Sequence, residues 1–407
     1  MSHSIKKLTL TIVINVLVFL LLAVVLEVGC WFFITRHGDN LADSRRVNHT
    51  WQPNSSWEHT EWIRDNPDFP KPYTHHYNSQ GWLERYDVEL QKPKDTYRIF
   101  YVGDSFTEGT APMEGSLPSL VEASLNSTLT NSNYKIEVIN TGTSSYAPTI
   151  FYTLIRYVIL PYSPDLIVVN VDMSDDFDDW KYSQTVTLDE EGNPLAVPPR
   201  SIYTANYIDT VHGAVPATFI AKVQMFLLRN SFLYNLLSNV FAVDSQSSES
   251  NGASVASTTF LYKRWAWCEK EWDEKTTKNA ERTLSMLQKI AAYCNTQGVK
   301  LVFSSVPHYQ QLAGDDQGRG APLWSVRPHK EIERVADENN IPYLDALNSL
   351  APLVRGMPRS TYYYNGNMHF NPRGYKVWAK VHLDFLTAPH RNLLPPWWHA
   401  RQSEDLE

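Results

Sequence analysis

This chain of 407 residues has little cysteine, no excess of positive charge and a single long apolar run. Its three cysteines, Cys30, Cys268 and Cys294, have spacings that match no zinc motif. Lys and Arg number 36 against 44 Asp and Glu, and the net charge of −8 argues against nucleic acid as a partner. The chain also lacks a P-loop, a dinucleotide fingerprint, an EF-hand loop and an internal repeat. No cofactor is implied.

The apolar run, Leu8–Leu26, contains 19 uncharged residues, enough to span a bilayer. Lys6 and Lys7 precede it, so the positive-inside rule places residues 1–7 in the cytoplasm and the rest of the chain outside it. We expect a transmembrane signal anchor at 8–30, because no small-residue cleavage site follows the run; a cleaved signal peptide is the alternative. Outside the cytoplasm, a Cys268–Cys294 disulfide and two free buried thiols are both open.

Five short apolar runs separated by helical patterns predict an α/β domain with a parallel sheet. The strands are expected at Arg98–Val102, Lys135–Asn140, Leu166–Val171, Lys300–Ser305 and Pro342–Tyr343. Helices are expected at 117–129, 148–160, 279–296 and 375–386. The sequence thus predicts a catalytic or binding domain built around one buried sheet.

The remaining segments are assigned by composition. Residues 31–95 are polar and aromatic, which favours an extracytoplasmic stalk that wraps onto the domain at 96–390. Within the domain, an insertion at 181–275 contains an apolar helix candidate at 217–241 and a Ser-rich tract at 244–259. It is interpreted as a lid or as a plain peripheral helix. Residues 391–407 form a C-terminal tail.

Ser105 is the candidate nucleophile. It follows a predicted strand and a turn containing Gly103, and it precedes a helix. A serine in this position has its hydroxyl exposed at the sheet edge, and its backbone N–H points at whatever binds there. An ordinary strand–turn–helix junction capped by Asp104 would have the same sequence pattern. The assignment of Ser105 as a nucleophile therefore requires a second residue that could act as its base.

His369 is the candidate partner. It lies in a polar loop just before the predicted helix at 375–386, and Pro372 and Gly374 fix the entry to that helix. An imidazole there could take the proton from Ser105 as a general base. His308, which follows another predicted strand, is interpreted as structural.

Four blocks in this order resemble the SGNH (GDSL-type) esterases and acyl hydrolases. They are Gly103–Thr107, Asn140–Ser145, Pro164–Val169 with Asp175 and Asp176, and Met368–Asn371. The resemblance covers residues 70–390 and includes the lead-in of membrane-anchored bacterial members. It implies a flavodoxin-like three-layer sandwich, with Ser105 as nucleophile and His369 as base. It also implies an oxyanion hole formed by the amides of Ser105 and Ser145 with Gly142.

Three positions depart from that pattern. Ser145 stands where the family usually has glycine, which is mild unless the backbone requires a positive φ. Asp175 stands where the family has an oxyanion-donating asparagine, so it must point elsewhere, be protonated or weaken the site. Asn367 and Gly366 stand where an aspartate orients the histidine; Asn367 can orient His369 but cannot stabilise the imidazolium. Asp172, Asp176 or Asp178 could approach instead.

The sequence therefore predicts a membrane-anchored, extracytoplasmic ester hydrolase or O-acyltransferase. The resemblance implies that it acts on acyl groups, above all acetyl, of a cell-surface polysaccharide, with a membrane protein as a possible acyl donor. A catalytically degenerate module for glycan binding or assembly is the alternative. A metal-dependent hydrolase built on the acidic stretch 172–179 is the third reading, although a solvated acidic loop is the expected role of that stretch.

Overall fold

The computed structural model describes residues 11–29, 41–59, 72–129, 132–197, 264–313 and 324–404, with gaps at 12, 16, 20, 45, 184 and 366. The chain divides into two compact units. One consists of Met1–Leu41 and Arg200–Leu261, and the other consists of Ala42–Pro199 and Tyr262–Glu407. The second unit contains the sheet and the candidate site.

Eleven strands are found in the described residues. They are β1 (Leu41–Ser44), β2 (Asn48–Trp51), β3 (Ser56–His59), β4 (Tyr73–His76), β5 (Thr96–Val102), β6 (Lys135–Asn140), β7 (Leu166–Val171), β8 (Thr187–Leu188), β9 (Pro194–Ala196), β10 (Lys300–Ser305) and β11 (Tyr343–Leu344). Each of the five predicted strands is present, and three of them have the predicted bounds.

Five of these strands form one parallel sheet in the order β6, β5, β7, β10, β11. Taken in chain order this is 2-1-3-4-5, the order of flavodoxin-like sheets. The expected α/β fold with a parallel sheet is confirmed. The order reverses between β5 and β7, and such sheets bind their ligands beyond the carboxyl ends of the strands at this point.

The described residues of the second unit contain ten α-helices. They are α1 (Ser105–Glu108), α2 (Leu117–Ser127), α3 (Pro148–Leu154), α4 (Asp175–Ser183), α5 (Glu274–Thr296), α6 (Tyr309–Leu312), α7 (Arg327–Glu338), α8 (Ala346–Val354), α9 (Pro372–Leu386) and α10 (Pro396–Glu404). The helix expected at 148–160 is α3 followed by a π-helical turn, Ile155–Ile159, and a 3₁₀ turn that contains Pro161.

Helices cover both faces of the sheet because its strands are apolar on both sides. On β5, Phe100 and Val102 join a core with α3, α5 and α7. Ile99 and Tyr101 point to the opposite core, which contains α2, α8 and α9. Alternate residues of a strand face opposite sides of a sheet, so this division makes a three-layer sandwich.

The described part of the segment that the sequence assigned to a stalk belongs, from residue 42, to the same unit as the sheet. Tyr77 and Trp82 are buried, and the rings of Trp82 and Phe100 meet edge to face at 5.8 Å. The carboxylate of Glu84 accepts the backbone N–H of Asn140, at the end of β6, at 2.6 Å. The lead-in therefore helps to fix the loop that follows β6.

Some predictions fall partly or wholly outside the described residues. These are the membrane span at 8–30, the apolar helix at 217–241 and the Ser-rich tract at 244–259. Among the helices that the structure does describe, none combines the length and the apolar character needed to cross a bilayer. Cys268 and Cys294 are both buried free thiols, so of the two open possibilities the structure has the unpaired one.

Burial of Glu84 makes stability depend on pH. Burial raises the pKa of this carboxyl to about 8 from its ordinary 4.5, against the hydrogen bond from Asn140. Between these values the native state holds a proton that the unfolded chain has lost, so stability falls as pH rises. We expect Glu84→Gln to gain about 1 kcal/mol of stability per pH unit relative to wild type between pH 5 and 8.

Urea denaturation of the full chain at pH 5, 6.5 and 8 measures this difference. Glu89→Gln changes an exposed glutamate of the same segment and serves as the matched control. A stability difference between Glu84→Gln and wild type that stays constant with pH would contradict the prediction.

Candidate active site

The turn after β5 presents Ser105. Asp104 caps α1, and its Oδ1 accepts the backbone N–H of Phe106 at 2.9 Å. The cap fixes the single helical turn that begins at Ser105. Ser105 is half-buried while Asp104 and Phe106 are buried, so the hydroxyl is the accessible group of this turn.

The loop before α9 presents His369. The side chain of Asn371 caps α9 by accepting the N–H groups of Arg373 and Gly374. Its amide nitrogen donates to the carbonyls of Ser360 and Tyr363, which holds the loop to the preceding segment. From α9, the hydroxyl of Tyr375 donates to the carbonyl of Phe106 at 3.0 Å. The helix that follows the histidine is thus tied to the helix that carries the serine.

Ser105, His369 and Asn367 form a continuous hydrogen-bonded chain. Ser105 Oγ lies 2.7 Å from His369 Nε2, and His369 Nδ1 lies 2.5 Å from Asn367 Oδ1. The backbone N–H of His369 also donates to Asn367 Oδ1, at 3.1 Å. That second bond identifies the amide oxygen as the atom facing Nδ1. Nδ1 therefore carries the proton, and Nε2 is free to accept one from Ser105.

Burial controls the protonation of His369. It lowers the pKa of the imidazole to about 3, and the negative charge of Asp172 acts against this shift. The charges of His308 and Arg264 add to the lowering. The ring is consequently neutral at physiological pH, which is the form that a general base requires.

The loop after β6 packs directly on α1. A Cβ on Gly142 would lie 2.3 Å from the backbone nitrogen of Glu108, so only glycine fits this approach. The amide of Gly142 donates to Asn140 Oδ1 at 3.0 Å and is not available to an oxyanion. The oxyanion role expected for Gly142 is therefore corrected to close packing.

Ser145 and Ser105 retain unused amides: no hydrogen bond within the described residues uses either backbone N–H. Ser145 has a φ of 65°, so its backbone has the left-handed conformation that favours glycine. The SGNH proteins usually have glycine at this position. Its carbonyl accepts the hydroxyl of Tyr182 at 2.8 Å, which holds this conformation in place.

Glu108 joins the two loops and was missed in the sequence. Its carboxylate accepts the amide and hydroxyl of Ser144, both at 2.9 Å, and the hydroxyl of Tyr77 at 2.9 Å. Burial raises the pKa of Glu108 to about 7, against these hydrogen bonds. Glu108 is the last residue of α1, the helical turn that begins at Ser105. That position was the only sign in the sequence that it could belong to the site.

The acidic stretch after β7 is not the solvated loop that was expected. All five of its acids, Asp172, Asp175, Asp176, Asp178 and Asp179, are buried. Asp175, Asp176 and Asp178 lie in the first turn of α4, where the helix dipole favours negative charge. Asp178 pairs with Lys181 at 2.6 Å, and Asp179 accepts the amide of Thr149 at 2.6 Å. Hydrogen bonds and helix geometry thus make the burial possible.

Asp175 faces the other acids of the site. Its Oδ2 accepts the amide of Asp172 at 3.0 Å, and its Oδ1 is buried without a partner among the described residues. Burial, and next the charge of Asp104, raise its pKa well above the usual range. The sequence left three possibilities for Asp175: it points elsewhere, it is protonated or it weakens the site. Its burial among other acids favours the protonated, neutral form. Gly366 lies outside the described residues.

Carboxyl oxygens of Asp104, Asp172 and Asp175 lie within 4.8 Å of one another, a spacing that a metal ion could bridge. Each group is already engaged within the protein: Asp104 with Phe106, Asp172 with His308 and Ser174, and Asp175 with Asp172. The raised pKa of Asp104, caused by burial and then by Asp172, shows that protonation can relieve the repulsion. We therefore assign no metal to these residues.

Asp172 and His308 form a buried pair that the sequence did not identify. His308 Nε2 donates to Asp172 Oδ1 at 2.6 Å, and Trp265, Trp324 and Phe106 surround the imidazole with ring centroids 5.1 to 5.3 Å away. Asp172 directly follows β7, and His308 follows the adjacent β10 by three residues. Those two positions at neighbouring strand ends were the signal that could have found the pair.

No family model matches this chain, and no curated protein does either. Its neighbours among solved structures include Axe2, an acetylxylan esterase from Geobacillus stearothermophilus, at 10% identity and a TM-score of 0.39 over 72% of this chain and 94% of the other. A putative GDSL-like lipase from Parabacteroides merdae has 12% identity and a TM-score of 0.39, covering 74% and 98%.

LAE5, an α/β hydrolase from the metagenome of Lake Arreo in Spain, has 10% identity and a TM-score of 0.38 over 71% of this chain and 94% of the other. These likenesses are too distant to support a function for this chain.

The low pKa of His369 predicts how the reactivity of Ser105 depends on pH. A histidine with the ordinary pKa of 6.5 would be mostly protonated at pH 5, and the reaction would slow about thirtyfold there. With a pKa of about 3, we expect the rate at which a fluorophosphonate labels Ser105 to stay constant from pH 8 to 5. Near-UV circular dichroism at each pH controls for unfolding. A fall in rate centred near pH 6.5 in folded protein would contradict the lowering of the His369 pKa by burial.

Proposed function

We propose that this protein is a serine ester hydrolase or O-acyltransferase that uses Ser105 and His369. His369 Nε2 takes the proton of Ser105 as Oγ attacks the ester carbonyl carbon. It then gives that proton to the leaving alcohol, and Ser105 is left acylated. A water molecule or an acceptor hydroxyl, deprotonated by His369, releases the acyl group and restores the serine.

The observation that carries this proposal is the hydrogen bond from Ser105 Oγ to His369 Nε2, with Asn367 fixing the ring behind it. Ser105 is half-buried and begins α1. The amides of Ser105 and Ser145 are the candidates for holding the oxyanion. A nucleophile, an oriented base and available donors are the parts that acyl transfer requires.

The location and substrate form part of the same proposal. The apolar run after Lys6 and Lys7 supports a signal anchor at 8–30 with the catalytic domain outside the cytoplasm. There the enzyme would remove or transfer acyl groups, chiefly acetyl, on a cell-surface polysaccharide, with a membrane protein as acyl donor in the transferase case. The resemblance to anchored SGNH proteins supports this substrate class.

Loss of either side chain of the pair should abolish reactivity. We expect Ser105→Ala to lose all fluorophosphonate labelling and all hydrolysis of 4-nitrophenyl acetate, because the attacking hydroxyl is gone. We expect His369→Gln to slow both by about a thousandfold or more, because no base remains.

The controls are Ser127→Ala and His390→Gln, which change an exposed serine at the end of α2 and an exposed histidine after α9. Both should react like wild type. A folded wild-type protein that is neither labelled nor hydrolytic would overturn the proposal and favour the degenerate glycan-binding module, for which Asn367 and Asp175 are the motivating residues.

The proposed topology predicts protease sensitivity. Protease added to spheroplasts of a bacterium that makes the full chain should degrade the domain, because it lies outside the inner membrane. A cytoplasmic marker protein should stay intact in the same sample. Protection of the domain until the cells are lysed would contradict the location.

A further inference from the structure

The hydrogen bonds around His369 separate two tasks that one aspartate usually performs in a serine–histidine site. Asn367 fixes the ring orientation and the tautomer, because its oxygen is held by the backbone N–H of His369. It carries no charge, so it cannot balance the imidazolium that forms when His369 takes the proton of Ser105. The charge must come from another residue or be absent.

Asp172 is placed to supply it. Its carboxyl lies within 4.8 Å of that of Asp104, whose Oδ2 is 3.5 Å from Ser105 Oγ. The ring of Phe106 contacts both histidines: its centroid lies 5.2 Å from that of His308 and 4.6 Å from that of His369. Side chains this buried exclude water, which increases the reach of a charge.

Asp172 is also the member of the cluster that stays ionised. Burial works to raise its pKa, but the charge of His308 and the hydrogen bonds from His308 and Ser174 outweigh it and lower the pKa to about 2. The neighbouring acids differ, since the pKa values of Asp104 and Asp175 are both raised. Of the three acids, Asp172 is therefore the one that stays ionised.

We propose that Asp172, held by His308, supplies the negative charge that balances the His369 imidazolium, while Asn367 supplies only the orientation of the ring. This inference rests on the proposed Ser105–His369 chemistry. Asp172 touches neither the substrate nor the reacting atoms, so it acts through His369 as a positioning residue. The other charged groups that act on His369 are His308 and Arg264, and both oppose its protonation.

The test is a charge-relocation cycle in the full chain, with 4-nitrophenyl acetate and fluorophosphonate as probes. Asp172→Asn should lower kcat roughly tenfold to thirtyfold with little change in KM, as expected for the loss of one charge in a buried site. Adding Asn367→Asp should restore kcat to within about threefold of wild type, because a carboxylate on Nδ1 replaces the lost charge.

Asp179→Asn is the matched control. Asp179 is another buried acid of α4, hydrogen-bonded to Thr149 and Thr283, and its replacement should leave kcat unchanged. If Asp172 were only structural, Asn367→Asp would not rescue the Asp172→Asn variant, and the two effects would simply add. That result in folded protein would overturn the inference.

Asn367→Asp alone tests the inference without disturbing Asp172, should its replacement prevent folding. If Asp172 already balances the imidazolium, this change should alter kcat by less than about threefold. A gain of about a hundredfold or more would show that the site lacks a charge and would overturn the inference. A folded wild type that is not labelled would instead overturn the proposed function, and this inference with it.

Discussion

Three buried acids, Asp104, Asp172 and Asp175, lie at the carboxyl edge of the sheet with carboxyl oxygens within 4.8 Å of one another. The other groups of the site are arranged around this crowding of acids. Three adjacent buried carboxylates cannot all be charged without large cost. His308 and Ser174 keep the charge on Asp172, whereas the pKa values of the other two are raised. Ser105 begins the helix capped by one of these acids, so the protonation pattern and the nucleophile share one local structure.

The same edge depends on contacts from distant parts of the chain. Glu108 receives hydrogen bonds from Tyr77 of the lead-in and from Ser144 of the loop after β6. Gly142 allows that loop to touch α1, and Tyr375 ties α9 to the carbonyl of Phe106. Each connection constrains a different loop against the single turn at Ser105. The geometry of the serine–histidine pair is thus set by packing on every side of that turn.

The sequence predicted the five strands of the sheet and four of the helices because these elements leave local signals. Apolar runs marked β5, β6, β7 and β10, and loop residues before a helix marked His369. Burial was harder to predict. The acids from Asp172 to Asp179 have the composition of a solvated loop, and only the fold shows that they are buried. The Asp172–His308 pair likewise joins residues 136 apart, which no local pattern records.

The bond between Ser105 and His369 spans 264 residues of chain. During synthesis at about 5 to 20 residues per second, the nucleophile is made roughly 13 to 53 seconds before its base. Throughout that interval Ser105 lacks the imidazole to which its hydroxyl is hydrogen-bonded in the complete fold. On the proposed chemistry, the nascent chain therefore gains reactivity toward esters only after most of the core residues have been made.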